Sequence, residues 1–286
     1  MRSFPISDLL DGVPTIKIVD IGPPSDADGE PAYKSLLKRG LGRVVGFNPD
    51  AAACRELNGA TRGRIVYLPH VIGNGEPRTL YRTSDDGAGL AYRPDEAIGA
   101  LFQSLDDRGE VRETEEVETR ALDHIVEVRG TDYLRLDAEG GDLLIYAGAD
   151  RVLDEAVVVH TRVAFVPLLR RQPLFADVDP VLRKHGLQFH RLIELGGRTF
   201  KPLVANENVN AALSQFLWAD AIYVRDFAAF DDVEADKLLK LAVILHEVYR
   251  SFDLAALALR HFDAKTDSGL WSAYIRRLTG SRPPKG

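Results

Sequence analysis

Asp132-Tyr-Leu-Arg-Leu-Asp137-Ala-Glu139-Gly140-Gly141 is the stretch on which the reading of this chain turns. It reads as a buried strand that stops abruptly in two carboxylates and a double glycine. In an open α/β sheet, ligands bind beyond the carboxyl ends of the strands. Asp137 and Glu139 therefore stand where a substrate or cofactor would be handled. The plainer reading of the same residues is a solvated acidic turn with Asp142 opening the next helix.

Working outward, further apolar runs end in the same way. Residues 16–21 (IKIVDI) stop at Gly22-Pro23-Pro24, and 43–47 (RVVGF) close at Asn48-Pro49. Residues 64–72 (RIVYLPHVI) end at Gly73-Asn74-Gly75. Helical patterns over 32–39 and 50–57 separate these runs, with Asp50 placed at the positive end of the second helix. Strands alternating with helices predict parallel βαβ units. Downstream, a helix is expected over 142–153, a β-branched strand over 157–166 and a helix over 179–185. Strands are expected over 187–195 and 220–224, the last running antiparallel. The middle is less regular: strands at 79–83 and 117–121, a helix at 94–105, a short helix at 122–128, and a charged loop at 106–116 (DDRGEVRETEE). From 233 the spacing turns helical throughout, over 233–250, 252–262 and 268–279. These readings divide the chain into a Rossmann-like domain, 1–232, and a helical C-terminal extension, 233–286, which either packs on the sheet or forms a homodimer contact.

Composition narrows the function. The 286 residues are 45% hydrophobic and 28% charged, as in an ordinary globular protein. The net charge is −7, and no basic stripe with interleaved aromatics suggests a nucleic-acid partner. No apolar stretch has the length of a membrane span, and MRSFPISDLLDG lacks a signal peptide's apolar core. The single cysteine, Cys54, excludes an internal disulfide and reads as a small buried hydrophobe. A cytoplasmic protein is expected. The His and acidic residues show no tight ligand spacing, so no metal is expected. His70 either lines a pocket after its strand or is structural. His160, inside a buried strand, reads better as a satisfied core histidine than as a cleft residue. The paired Arg170 and Arg171 read as solvated rather than as an anion site.

Six phrases in fixed order carry a family resemblance over residues 18–227. They are IVDIGPPSD, GFNPDAAACREL, LPHVIGNGEPRTLY, VETRALDHI with DYLRLDAEGGDLLIYAGA, AFVPLLRRQPLFADVDPVLRKHG, and LWADAIYVRDF. Together they resemble the FkbM family of S-adenosylmethionine-dependent methyltransferases. The resemblance implies a class I methyltransferase fold: an α/β, mostly parallel sheet with helices on both faces. It implies S-adenosylmethionine as cofactor, near Asp20, Gly22, Asn48, His70 and Asp137, with Asp137 and Glu139 as the catalytic candidates. The implied reaction is O-methylation of a saccharide or secondary-metabolite hydroxyl, on a small-molecule or glycan acceptor. Loops 84–116 and 166–178 are candidates for the acceptor pocket.

Four positions depart from the family pattern. Asn48 stands where a ribose-binding Glu is usual, and an amide lacks the charge that strengthens such a bond. Pro23-Pro24 replace small residues in the first loop, and proline removes a backbone donor. Arg135 replaces a more usual Lys, and Thr161-Arg162-Val163-Ala164 lacks an expected Glu. These changes leave open a second reading, a methyltransferase-like binding or scaffold protein with impaired catalysis.

Overall fold

Every residue of Tyr133–Leu136 is buried, as is most of Ile16–Ile21, so these two strands lie at the centre of a sheet covered on both faces. The computed structural model describes residues 4–280 apart from 11, 13, 23–29, 62, 84–88 and 106–109. In chain order its elements begin with β1 (Ile16–Ile21), α1 (Lys34–Lys38), β2 (Gly42–Phe47), α2 (Ala51–Ala60), β3 (Ile65–Leu68) and β4 (Val71–Ile72). They continue with β5 (Arg78–Arg82), α3 (Glu96–Gly99), β6 (Glu113–Val117), β7 (Thr119–Arg120), β8 (Tyr133–Leu136), α4 (Asp142–Tyr146) and α5 (Asp150–Glu155). Then come β9 (Val158–Ala164), α6 (Phe175–Lys184), β10 (Leu187–Gly197), β11 (Phe216–Arg225), α7 (Ala235–Ile244), α8 (Phe252–Thr266) and α9 (Leu270–Thr279).

The main sheet runs β10-β11-β9-β8-β1-β2-β3. β11 is antiparallel to both of its neighbours, and the other strands share one direction. A parallel sheet whose late, reversed strand inserts beside the edge is the class I methyltransferase topology. It puts the carboxyl ends of β1, β2, β3 and β8 on one edge.

Strand alternation sends Ile16, Ile18, Tyr133, Val158, Ile222 and Val224 to one face. That face packs against Leu36 of α1 and against Leu238, Leu241, Ala255, Leu259 and Tyr274 of α7–α9. The C-terminal helices thus share the sheet's own core. Each such aliphatic side chain contributes about 1.5–3 kcal/mol by leaving water. The opposite face packs Val19, Leu134, Leu136, Val159 and Tyr223 against Ile145, Val152, Leu153, Val178 and Leu182 of α4–α6. Asp132 ties the first face together: its carboxylate accepts from Lys17 N at 2.9 Å and from Lys237 Nζ of α7 at 2.7 Å. No helix among the described residues is long and apolar enough to cross a membrane.

The elements differ from the sequence expectation in several places; among them, the single strand expected over 64–72 is two, β3 and β4, in different sheets, and the helix expected over 122–128 is only a turn at Leu122–His124. The helix expected over 142–153 is two helices, α4 and α5, and in the break between them Gly148 passes so close to the Gly73 oxygen that a Cβ there would sit 2.7 Å from it. α6 begins at Phe175 rather than 179, where the Asp177 carboxylate accepts from Leu174 N at 2.8 Å. Of the charged stretch expected as a loop over 106–116, residues 106–109 lie outside the described residues. Its end joins β6, held against β5 by Arg82–Glu115 and Thr79–Glu116 contacts across the strands. The helix expected over 94–105 contracts to α3, and the rest of that segment bridges to Phe200 and Leu169.

Candidate functional site

The edge is built first from backbone. β1 and β8 pair in register Ile21↔Leu136, and Asp137 N donates to the Ile21 oxygen at 2.8 Å. Gly22 follows with φ +130°, and a Cβ there would lie 2.6 Å from the Asp137 carbonyl oxygen. Only glycine allows this contact. The acidic turn then uses positive φ at Glu139 (45°) and Gly140 (94°). Gly140 packs on Gln172, whose Oε1 accepts from Leu169 N at 3.0 Å. Two of the phrases prominent in the sequence therefore touch.

On the face shared with the C-terminal helices, the end of the sheet carries a row of charge. Asp20 accepts from Arg135 Nη1 at 2.9 Å and from the Tyr33 hydroxyl at 2.5 Å. Arg135 Nη2 also donates to Asp137 Oδ2 at 3.3 Å. Arg162 Nη1 stands 3.6 Å from Asp137 Oδ1, and its Nε donates to Asp220 Oδ1 at 3.1 Å. Asp220 Oδ2 meets His160 Nε2 at 3.0 Å. His160 Nδ1 lies 3.1 Å from Tyr249 Oη and 3.2 Å from Tyr133 Oη, and the two phenols are 2.6 Å apart. Registry produces the row. Asp20, Arg135 and His160 are successive cross-strand partners on β1, β8 and β9, and Arg162 faces Asp220.

Electrostatics fit this arrangement. Burial and the neighbouring Asp20 carboxylate raise the Tyr33 phenol well above its usual range. Burial disfavours the Arg135 charge, but Asp20 and Asp137 outweigh it and raise its pKa. Burial would raise Asp220, yet bonds from His160 and Arg162 bring it below the usual carboxylate value. One atom stands apart. Asp137 Oδ1 is buried and accepts no hydrogen bond from the described residues. A buried carboxylate oxygen without a donor is costly unless something supplies one. Asp142, at the start of α4, is a second buried carboxyl. Burial pushes its pKa up to about 7, against a bond from Thr161 Oγ1 at 3.0 Å.

The remaining candidates lie along the same edge. Asn48, after β2, uses Oδ1 to accept from Asp50 N at 2.8 Å, and its Nδ2 bonds no described residue. The half-buried His70 follows β3, its backbone N–H bound to the Leu68 oxygen at 2.9 Å. Glu139 is exposed and has a polar partner of its own. Pro23 and Pro24 lie outside the described residues. Of the candidates, Gly22 approaches Asp137 directly and Asp20 joins it through Arg135; Asn48 and His70 follow the adjoining strands. His160 is a satisfied buried histidine that also borders a small cleft. The sequence reading missed Tyr33, Asp220 and Tyr249, and treated Arg162 only as a departure. The available signal was a set of polar residues within otherwise apolar strands. Cys54 is buried. Among the described residues no His, Cys, Asp and Glu cluster could hold a metal ion.

The family model described as "Methyltransferase FkbM domain" matches residues 20–189, more than half of the chain. The chain belongs to the FkbM methyltransferase family. It is accordingly an S-adenosylmethionine-dependent methyltransferase. No curated protein sequence matches it. Among solved structures, it is similar to magnesium protoporphyrin IX methyltransferase from Synechocystis PCC 6803 with bound SAM, at 11% identity and TM-score 0.36, covering 77% of this chain and 76% of that one. A putative methyltransferase from Thermoplasma acidophilum is similar at 9% identity and TM-score 0.35, covering 74% and 69%. The FkbM edge fits the cofactor on this chain's own geometry. Asp137 Oδ1 lacks a donor where a cationic amine would supply one, and the glycine turn at Gly22 lies against it.

Proposed function

We propose that this FkbM methyltransferase O-methylates a saccharide or secondary-metabolite hydroxyl, binding its cofactor along the edge formed by Gly22, Asn48, His70 and Asp137. The observation that carries the reading is the buried, donor-less Oδ1 of Asp137 at the end of β8. Asp137 accepts from the amine of the cofactor's methionine portion. Asp20 acts one step back, holding the Arg135 guanidinium that also grips Asp137. Asn48 differs from a carboxylate: it is neutral, its Oδ1 already accepts from Asp50 N, and its Nδ2 can donate to a ribose hydroxyl. His70 borders the adenine side. When bound, S-adenosylmethionine supplies an electrophilic methyl on a sulfonium and leaves as S-adenosylhomocysteine.

Methyl transfer depends chiefly on in-line positioning, with a base needed only for a poor nucleophile. The exposed Glu139 carboxylate takes the acceptor hydroxyl's proton as the oxygen–carbon bond forms. A hydroxyl acceptor is what the family resemblance implies; the polar cleft beside the charge row, bordered by Glu30, Arg135, His160, Arg162, Glu194 and Asp220, holds about 30 Å³, the room of roughly one water. The test is transfer of isotope-labelled methyl from S-adenosylmethionine to a panel of saccharides and hydroxylated metabolites. Label appearing as a base-stable methyl ether, and lost in Glu139→Gln, supports the proposal. Label on nitrogen or carbon would overturn it.

A further inference from the structure

We infer that Arg162 is a positioning residue, holding the Asp137 carboxylate so that its Oδ1 faces the cofactor's amine. This rests on the role proposed for Asp137. The guanidinium is placed to do so by geometry alone. Its Nη1 lies 3.6 Å from Asp137 Oδ1, a distance for ion pairing rather than for a hydrogen bond. The attraction fixes the carboxylate while the lone pairs of Oδ1 stay available. The other carboxylate oxygen is held by Arg135 Nη2 at 3.3 Å, so the group cannot rotate without losing one guanidinium.

Arg162 is itself anchored. Its Nε donates to Asp220 Oδ1 at 3.1 Å, and Asp220 Oδ2 faces His160 Nε2 at 3.0 Å. With Nε2 donating to the carboxylate, His160 Nδ1 accepts a hydrogen bond from the hydroxyls of the Tyr133–Tyr249 pair. Tyr249 closes the π-helical turn Leu245–Tyr249 of the C-terminal region. One polar chain therefore connects the C-terminal helices to the cofactor edge, with Asp220, His160, Tyr133 and Tyr249 buried and Arg162 at its outer, 26% exposed end. Neither partner of the Arg162–Asp220 pair was marked as functional by sequence motif. They lie 58 positions apart and meet only because β11 returns antiparallel to β9.

The test compares two ligands that differ in the amino-acid portion. S-adenosylhomocysteine carries the amine; 5′-methylthioadenosine keeps adenine and ribose and lacks it. Calorimetric affinities would be measured for the wild type, Arg162→Gln, Asp220→Asn and Asp137→Asn, with near-UV circular dichroism to establish folding. Arg162→Gln is expected to bind S-adenosylhomocysteine about 3- to 10-fold more weakly, with methylthioadenosine unchanged. Asp220→Asn, one step further from the amine, is expected to show a smaller loss of the same selectivity. Asp137→Asn is expected to lose about 10-fold or more, again only for the amine-bearing ligand. If Asp137→Asn shows that loss while Arg162→Gln and Asp220→Asn bind as the wild type, the positioning role is overturned and the Asp137 assignment stands. Equal weakening for both ligands in Arg162→Gln would mean a general structural role and also overturns the inference. An unchanged Asp137→Asn would remove the Asp137 assignment and this inference with it.

Discussion

Gly22 and Asp137 meet backbone to backbone: a Cβ on Gly22 would stand 2.6 Å from the Asp137 carbonyl oxygen and 2.9 Å from its Cβ. The contact locks the ends of β1 and β8 together where the cofactor edge begins. Gly22→Ala faces both this clash and an unfavourable φ of +130°. It is expected to destabilise the fold by about 2–4 kcal/mol. Urea denaturation measures the change; a loss below about 0.5 kcal/mol, the level of a neutral surface substitution, would contradict the close approach.

Asp142 gives a pH signature. Burial lifts its pKa to about 7, while in the unfolded chain it ionises near its ordinary value of about 4. Between those values the native state keeps a proton that the unfolded state has released. Stability therefore falls as pH rises through the window and levels off above it. Asp142→Asn keeps an acceptor for the Thr161 hydroxyl and has no proton to lose. The wild type is expected to lose on the order of 2–4 kcal/mol relative to this variant between about pH 4.5 and about pH 7.5. Parallel stability curves for the two proteins would rule the explanation out.

Asn48 is neutral, so a carboxylate there should add a charge-assisted bond to the ribose. Asn48→Glu is expected to tighten S-adenosylhomocysteine binding by up to about tenfold. Loss of the bond to Asp50 N is expected to cost about 0.5–1 kcal/mol of stability. Calorimetry reads the first effect and denaturation the second. Weaker binding would count against a ribose role at this position.

Asp132 holds the C-terminal helices to the sheet through Lys237, with Lys240 Nζ at 3.3 Å. Asp132→Ala leaves Lys17 N and both ammonium groups without this acceptor. The lysines are partly solvated, so the cost is expected to be about 2–4 kcal/mol rather than that of a fully buried pair. Limited proteolysis should then cut residues 233–280 faster than in the wild type. Unchanged protection would show that apolar packing alone secures these helices.

Much of the sheet was legible because its strands are largely apolar runs, several of them ending in Gly, Pro, Asn or Asp. Those endings also marked Asp20, Gly22, Asn48 and Asp137, all of which lie on one edge. The break between α4 and α5 at Gly148 lies against Gly73, more than seventy residues away, a contact that local periodicity cannot register. β6 was hidden because it is mostly exposed and its charged side chains pair with those of the half-buried β5, leaving no apolar alternation to read. The row from Asp20 to Asp220 was equally hidden. Its members are polar residues on or just past four strands, and only the sheet order brings them together.

The most direct measurement is calorimetric titration of the wild-type protein with S-adenosylmethionine and S-adenosylhomocysteine. A cofactor edge organised around Asp137 predicts a 1:1 complex with a Kd on the order of micromolar, about −8 kcal/mol. No heat of binding at ligand concentrations on the order of millimolar, about −4 kcal/mol or weaker, would contradict it. The edge would then belong to a methyltransferase fold that holds some other partner.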